Sequence, residues 1–206
     1  MDTPKPDPRL AIFAALVRDS PHNLVSARAA EELESRHIPE AQALARMLPT
    51  SPRGSRLLDV GSGGGLPGMI VAMQRPDLDV HLLDSRGKKT EFLAMTASEL
   101  DVPVTVHRGR AEDLTTGDLN ASFQLVTARA VAPLVRLLGW TLPFLTDGGL
   151  LYAVKGERWM EELDEATGEL RRLQGRLVAT PDDLRSDAPI TPRVVIVARG
   201  TAATSW

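Results

Sequence analysis

The sequence predicts an α/β fold: a mostly parallel, seven-stranded sheet with helices on both faces, preceded by a short helical appendage. Three observations carry that prediction. After residue 55, short apolar runs alternate with helical patterns, the texture of a parallel sheet covered by crossover helices. A segment dense in glycine lies between the first of these runs and the next helical pattern. The 206 residues, with 43% apolar and 25% charged content, supply the core of one domain with at most a small addition.

Taken in order, Pro8 to Val17 carries Leu10, Ile12, Phe13, Leu16 and Val17 at helical spacing, with Asp7 as a candidate cap and Ser20-Pro21 as the stop. Ala29 to Leu48 reads as helical again, except that Pro39 starts a new helix or kinks the old one. Residues 1–50 therefore form a helical region, and the turn-rich stretch 49–55 separates it from a second unit, 51–206. Strands are expected at 57–60, 80–83, 104–106, 123–126, 150–154, 176–179 and 194–198. Helices are expected at 67–74, 88–100, 110–114 and 157–173.

Composition narrows the function. With no cysteine there is no disulfide framework, thiolate zinc site, iron–sulfur cluster or thiol nucleophile, and the cytoplasm is the expected compartment. The polar stretch Met1–Pro8 does not read as a targeting segment, and no apolar run reaches the roughly 18 residues of a membrane span. A net charge of −3 excludes a uniformly basic coat. Nucleic-acid affinity depends on a local patch, however, so RNA binding stays open.

The segment Asp59-Val60-Gly61-Ser62-Gly63-Gly64-Gly65-Leu66-Pro67-Gly68 follows a strand and opens a helix, where glycines let the backbone turn sharply and approach a ligand. A tight turn alone does not require four glycines in five positions. Gly63-x-Gly65-x-x-Gly68 matches the dinucleotide fingerprint, which by itself is weak. Asp59, two positions before the first glycine and inside the strand, resembles instead the D-x-G-x-G motif of class I S-adenosylmethionine (AdoMet) methyltransferases. Asp84 ends the next strand, where an acid can accept both ribose hydroxyls; it can equally cap the following helix. Arg110-Ala111-Glu112-Asp113 follows the third strand, at the station where that class surrounds adenine.

Together these segments carry a closer resemblance. Asn23-Leu24-Val25-Ser26, Arg36-His37-Ile38, the glycine segment, Leu82-Leu83-Asp84-Ser85-x-x-Lys88-Lys89, Arg110-Ala111-Glu112-Asp113, Ala128-Arg129-Ala130 and Ala153-Val154-Lys155-Gly156 are similar, in order and spacing, to the RsmG family, also called glucose-inhibited division protein B. The chain departs from the family at Arg18-Asp19-Ser20-Pro21-His22, where a basic-aromatic stretch is usual, and at Pro39-Glu40-Ala41. The resemblance implies a Rossmann-like class I fold, AdoMet as cofactor, and methylation of guanine N7 in 16S rRNA, free or in the small ribosomal subunit. It places Asp59, Gly61, Gly63, Gly65, Leu66, Asp84, Ala111, Glu112 and Arg129 at the cofactor. Arg129 and Lys155 are the expected catalytic residues, with Lys88, Arg110 and His37 at the RNA.

The implied chemistry suits this inventory. Guanine N7 has a free lone pair, so no general base and no metal are required; what remains is alignment, together with a donor to O6 from Arg129 or Lys155. Lys88, Lys89, Arg110, Arg129 and Lys155 are expected on one face. The rival readings are a class I methyltransferase with another RNA or small-molecule substrate, a catalytically silent RNA-binding assembly protein of this fold, and a nicotinamide oxidoreductase.

Overall fold

The computed structural model describes residues 7–22, 24–184 and 190–200; most of the polar stretch Met1–Pro8, and Asn23, lie outside them. Seven strands form one sheet: β1 (Ser55–Val60), β2 (Leu78–Asp84), β3 (Val104–Arg108), β4 (Phe123–Arg129), β5 (Leu145–Val154), β6 (Gly175–Ala179) and β7 (Val194–Arg199). Their spatial order is β3-β2-β1-β4-β5-β7-β6. The first five are parallel and β7 runs antiparallel to β5 and β6. Chain direction across the sheet reverses between β1 and β4, and there the carboxyl ends of the strands leave a crevice.

Period-two alternation divides the central strands between two cores. Leu57, Val80, Leu82, Leu125 and Tyr152 face α1 (Arg9–Arg18), α3 (Ile38–Met47), α4 (Gly68–Gln74) and α5 (Gly87–Glu99). Leu58, Val60, Val126, Leu151 and Val197 face α7 (Leu134–Thr141) and α8 (Trp159–Arg172). The short helices α2 (Ala27–Glu31) and α6 (Ala111–Leu114) complete the set. No helix of the described residues is long and apolar enough to cross a membrane.

The helical region before the sheet has no core of its own. Phe13, Leu33 and Leu44 are fully buried in the same cluster as Met69 and Ile70 of α4. Arg75, just past α4, donates to the carbonyls of Ala45, Leu48 and Pro49 at 3.3, 3.1 and 2.8 Å, and so satisfies the open end of α3. Asp7 caps as expected, accepting the Arg9 N–H at 3.0 Å. The break around Pro39 is a π-helical segment, Leu33–His37, after which Pro39 sits in the first turn of α3. Helix α7 has no counterpart among the helices expected from the sequence. It is eight residues long, contains Gly139 and is bracketed by Pro133 and Pro143, too short a window for its periodicity to stand out.

Away from the crevice, His81 Nδ1 meets His107 Nε2 at 2.8 Å, with the Asp79 carboxylate 3.1 Å from His81 Nε2. Burial, and then the charges of His81 and Arg56, hold the His107 imidazole below its ordinary value. The native state thus takes up this proton later than the unfolded chain as pH falls. The associated stability is present above about pH 6.5 and is lost as pH drops through the lowered value. Urea unfolding at pH 8 and pH 5.5 should show a smaller acid loss for His107→Gln than for the unsubstituted protein; an equal loss would refute the assignment.

Candidate active site

The glycine segment is shaped from beneath by Asp59. This residue is 0% exposed, and its carboxylate accepts the Gly68 N–H at 3.1 Å and the Thr127 hydroxyl at 2.8 Å, tying β1, the start of α4 and β4 together. Burial pushes the Asp59 carboxyl up to about 6, against the pull of these hydrogen bonds and of Arg129. A Cβ on Gly68 would lie 2.7 Å from Asp59 Oδ2, so only glycine fits there. Asp59 was expected to bind the cofactor. Its burial and its internal partners make it a positioning residue instead.

Above the loop lies a cleft of about 330 Å³, lined among others by Gly61, Asp84, Lys89, Arg110, Ala111 and Glu112. Asp84, 8% exposed, accepts the Gly63 N–H and the Arg86 N–H, each at 2.9 Å and each on a different oxygen. Capping and ligand roles are therefore compatible, because each oxygen keeps a second lone pair. Gly61 has φ +73°, and a Cβ there would lie 2.7 Å from Val131 Cγ2. Gly63 adjoins this cleft through Asp84 and Lys89. Gly65 and Leu66 do not line it. Gly65 packs on Phe13 and Met69, and Leu66 is buried in the core, because the chain turns under the loop before entering α4.

A second cleft, about 460 Å³, shares Ala130 and Val131 with the first and is lined also by Arg36, His37, Glu40, Arg129, Lys155 and Arg193. Ala130 adopts φ 52°, an uncommon conformation for a residue with a side chain, at the turn that leaves β4. Arg129 Nη1 lies 2.9 Å from His37 Nδ1 and 3.7 Å from Glu40. Burial lowers the guanidinium from its ordinary value, opposed by Glu40 and Asp59.

The two expected catalytic residues line the second cleft from different walls. Arg129 pairs with Val154 in register, so Lys155, one residue further on, points to the opposite face. Its ammonium is 2.6 Å from Glu162 and donates to the Ala132 carbonyl at 2.9 Å; the side chain is 7% exposed. Glu162 also accepts the Leu134 N–H at 2.8 Å. Lys155, expected as a catalytic group, lines this cleft with its ammonium engaged, and through these bonds it ties the turn after β4 to α8. Lys88 is a second correction. One helical position from Lys89, it is rotated away from the first cleft into a separate groove lined by Ile12, Phe92 and Met95, and Lys89 takes the place expected of it. Arg110 stays at the cleft mouth, 70% exposed and 3.6 Å from Glu112. The expected basic face is therefore split: Lys89 with Arg110, Arg129 with Lys155, and Lys88 apart.

The model of the GidB family, rRNA small subunit methyltransferase G, matches residues 10–188. The chain is 43% identical over 159 residues to a protein of Sorangium cellulosum named ribosomal RNA small subunit methyltransferase G, covering 77% of this chain and 66% of that protein, just under two thirds of its length. A protein of the same name from Beutenbergia cavernae is 45% identical over 176 residues, 84% of this chain and 80% of the relative. Among solved structures, a SAM-dependent O-methyltransferase of Thermotoga maritima superposes with TM-score 0.58 at 16% identity, over 80% of this chain and 66% of that one, a likeness of fold.

Removing the ammonium from the Lys155–Glu162 pair leaves a half-buried carboxylate and an unanchored turn. Lys155→Ala should lower the unfolding free energy by about 1–3 kcal/mol in urea titrations. A stability change within about 0.5 kcal/mol of zero would return Lys155 to the list of free site cations.

Proposed function

Because the chain belongs to the rRNA small subunit methyltransferase G family, we propose that it transfers a methyl group from AdoMet to N7 of a guanine in 16S rRNA, in the cytoplasm, on free RNA or the small ribosomal subunit. The observation that carries this reading is the convergence of three separate stations, Gly61 and Gly63, Asp84, and Ala111 with Glu112, around one cleft beside the pocket that holds Arg129.

The residues present fit AdoMet. The open lone pairs of Asp84 suit a ribose diol, and the glycines leave the cleft floor without side chains. Bound there, AdoMet supplies a methyl group on a sulfonium, a leaving group that needs no activation. The protein's part is alignment and charge. Asp59 and Thr127 fix the loop against β4, and the Lys155–Glu162 pair fixes the turn that forms the wall between the two clefts. Arg129 uses Nη1 toward His37, so its other N–H groups remain as donors for guanine O6; a preorganised donor of this kind contributes several kcal/mol where water is excluded. No residue has to remove a proton, since N7 carries none.

Calorimetry with AdoMet and mapping of 16S modification in a deletion strain test the proposal; unchanged N7 methylation after deletion would sink the substrate assignment. Gly68→Ala, which drives a methyl into Asp59, should weaken AdoMet binding at least about tenfold. Gly168→Ala, in open space on α8, should leave binding unchanged and add roughly 0.5–1 kcal/mol of stability.

A further inference from the structure

We propose that His37 positions Arg129 by offering it the unprotonated Nδ1 nitrogen, so that a proton taken up by this imidazole releases Arg129 and sets the acid limit of methyl transfer. The proposal rests on the reading of Arg129 as a group of the methyl-transfer site.

His37 Nδ1 has two neighbours, Arg129 Nη1 at 2.9 Å and Glu40 Oε2 at 3.3 Å. A guanidinium only donates and an ionised carboxylate only accepts. The bond to Arg129 therefore demands a lone pair on Nδ1, with the imidazole proton on Nε2. A bond to Glu40 demands a proton on Nδ1. One nitrogen cannot meet both demands, and the shorter contact is the one that only the unprotonated nitrogen makes. A proton added to the ring gives Nδ1–H, turns it toward Glu40 and sets a second cation against Arg129.

The surroundings amplify that change. From its own helical run His37 faces Arg36 and Glu40; Glu40 Oε1 is held by Arg36 at 3.0 Å, and Arg36 also pairs with Glu32. From β4 comes Arg129, which also feels the charge of the buried Asp59. Lys155, paired to Glu162, and Arg193 stand on the other walls of the cleft. Glu40 is thus the one carboxylate in direct contact with His37 among the described residues, and it already serves two arginines.

The backbone is built for this placement. Leu33–His37 forms a π-helical turn in which the N–H of His37 reaches the Glu32 carbonyl at 3.1 Å, alongside the bond from Arg36 to the same oxygen at 2.9 Å. The extra residue in this turn rotates the succeeding helix positions by roughly 100° about the axis, and such insertions are frequent at functional sites. It sets His37 against β4 while Leu33, Ile38, Ala41 and Leu44 keep the buried face.

Single-turnover methyl transfer from AdoMet to 30S subunits, measured from pH 5 to 9, tests the device. The unsubstituted protein should lose rate on the acid side by up to roughly tenfold per pH unit. His37→Asn, whose side-chain oxygen accepts from Arg129 and does not titrate, should keep most of the neutral rate and lose the acid limb. His37→Ala should be at least about tenfold slower at every pH. An acid limb that persists in His37→Asn would belong to another group, Asp59 foremost, and would overturn the proposal, as would full activity in His37→Ala. Nitrogen-15 NMR of the imidazole at pH 8 needs no turnover: Nδ1 must be the unprotonated nitrogen, and a protonated Nδ1 refutes the assignment. Absence of methyl transfer by the unsubstituted protein at every pH would instead refute the functional reading, and the NMR result would still decide the geometry.

Discussion

One carboxylate without access to water organises the crevice. Asp59 accepts from the first residue of α4 and from the paired position on β4, and in doing so sets the gap between the two loops that border the site. A buried carboxylate is costly to ionise, and Asp59 lies within the field of Arg129, itself partly buried and lowered by desolvation. The two groups offset one another across the depth of the sheet. Arg129 has Glu40 as a second counter-charge, whereas Asp59 relies on its hydrogen bonds and on Arg129.

From that anchor the chemistry is built up in layers. Gly61 and Gly63 expose backbone where side chains would block, Asp84 closes the end of β2, and the segment Arg129–Pro133 forms a wall that the two clefts share. The wall is held from both faces of the sheet, by His37 and Glu40 on one side and by Lys155 and Glu162 on the other. A reaction that asks only for alignment suits such a frame, in which the titratable groups are used to hold backbone and each other.

Much of this was legible in the sequence, for identifiable reasons. The seven strands are apolar runs punctuated by turns, and Asp84 and Ala111–Glu112 follow strands at fixed stations, so topology alone brings them together. What was not legible depends on rotation and depth. Asp59 and Asp84 look alike as acids near glycines, yet only the fold reveals that one lies under the loop and the other beside the cleft. Lys88 and Lys89 differ by one step on a helix, and Arg129 and Lys155 by one step in strand register; in both cases a single residue changes the face. The π-turn at Leu33–His37 leaves no mark in a 3.6-residue pattern, so the partnership of His37 with Arg129 was invisible as well.

Phe13 of α1 packs against the underside of Gly65, and Gly65 belongs to the loop that borders the first cleft. The first helix is therefore a foundation more than an appendage. In thermodynamic terms the two are linked: free energy gained when a ligand binds against the loop is shared with the contact below it, so α1 should fray less in the liganded protein. The same linkage runs in reverse, and whatever loosens α1 taxes the affinity of a cleft it never touches.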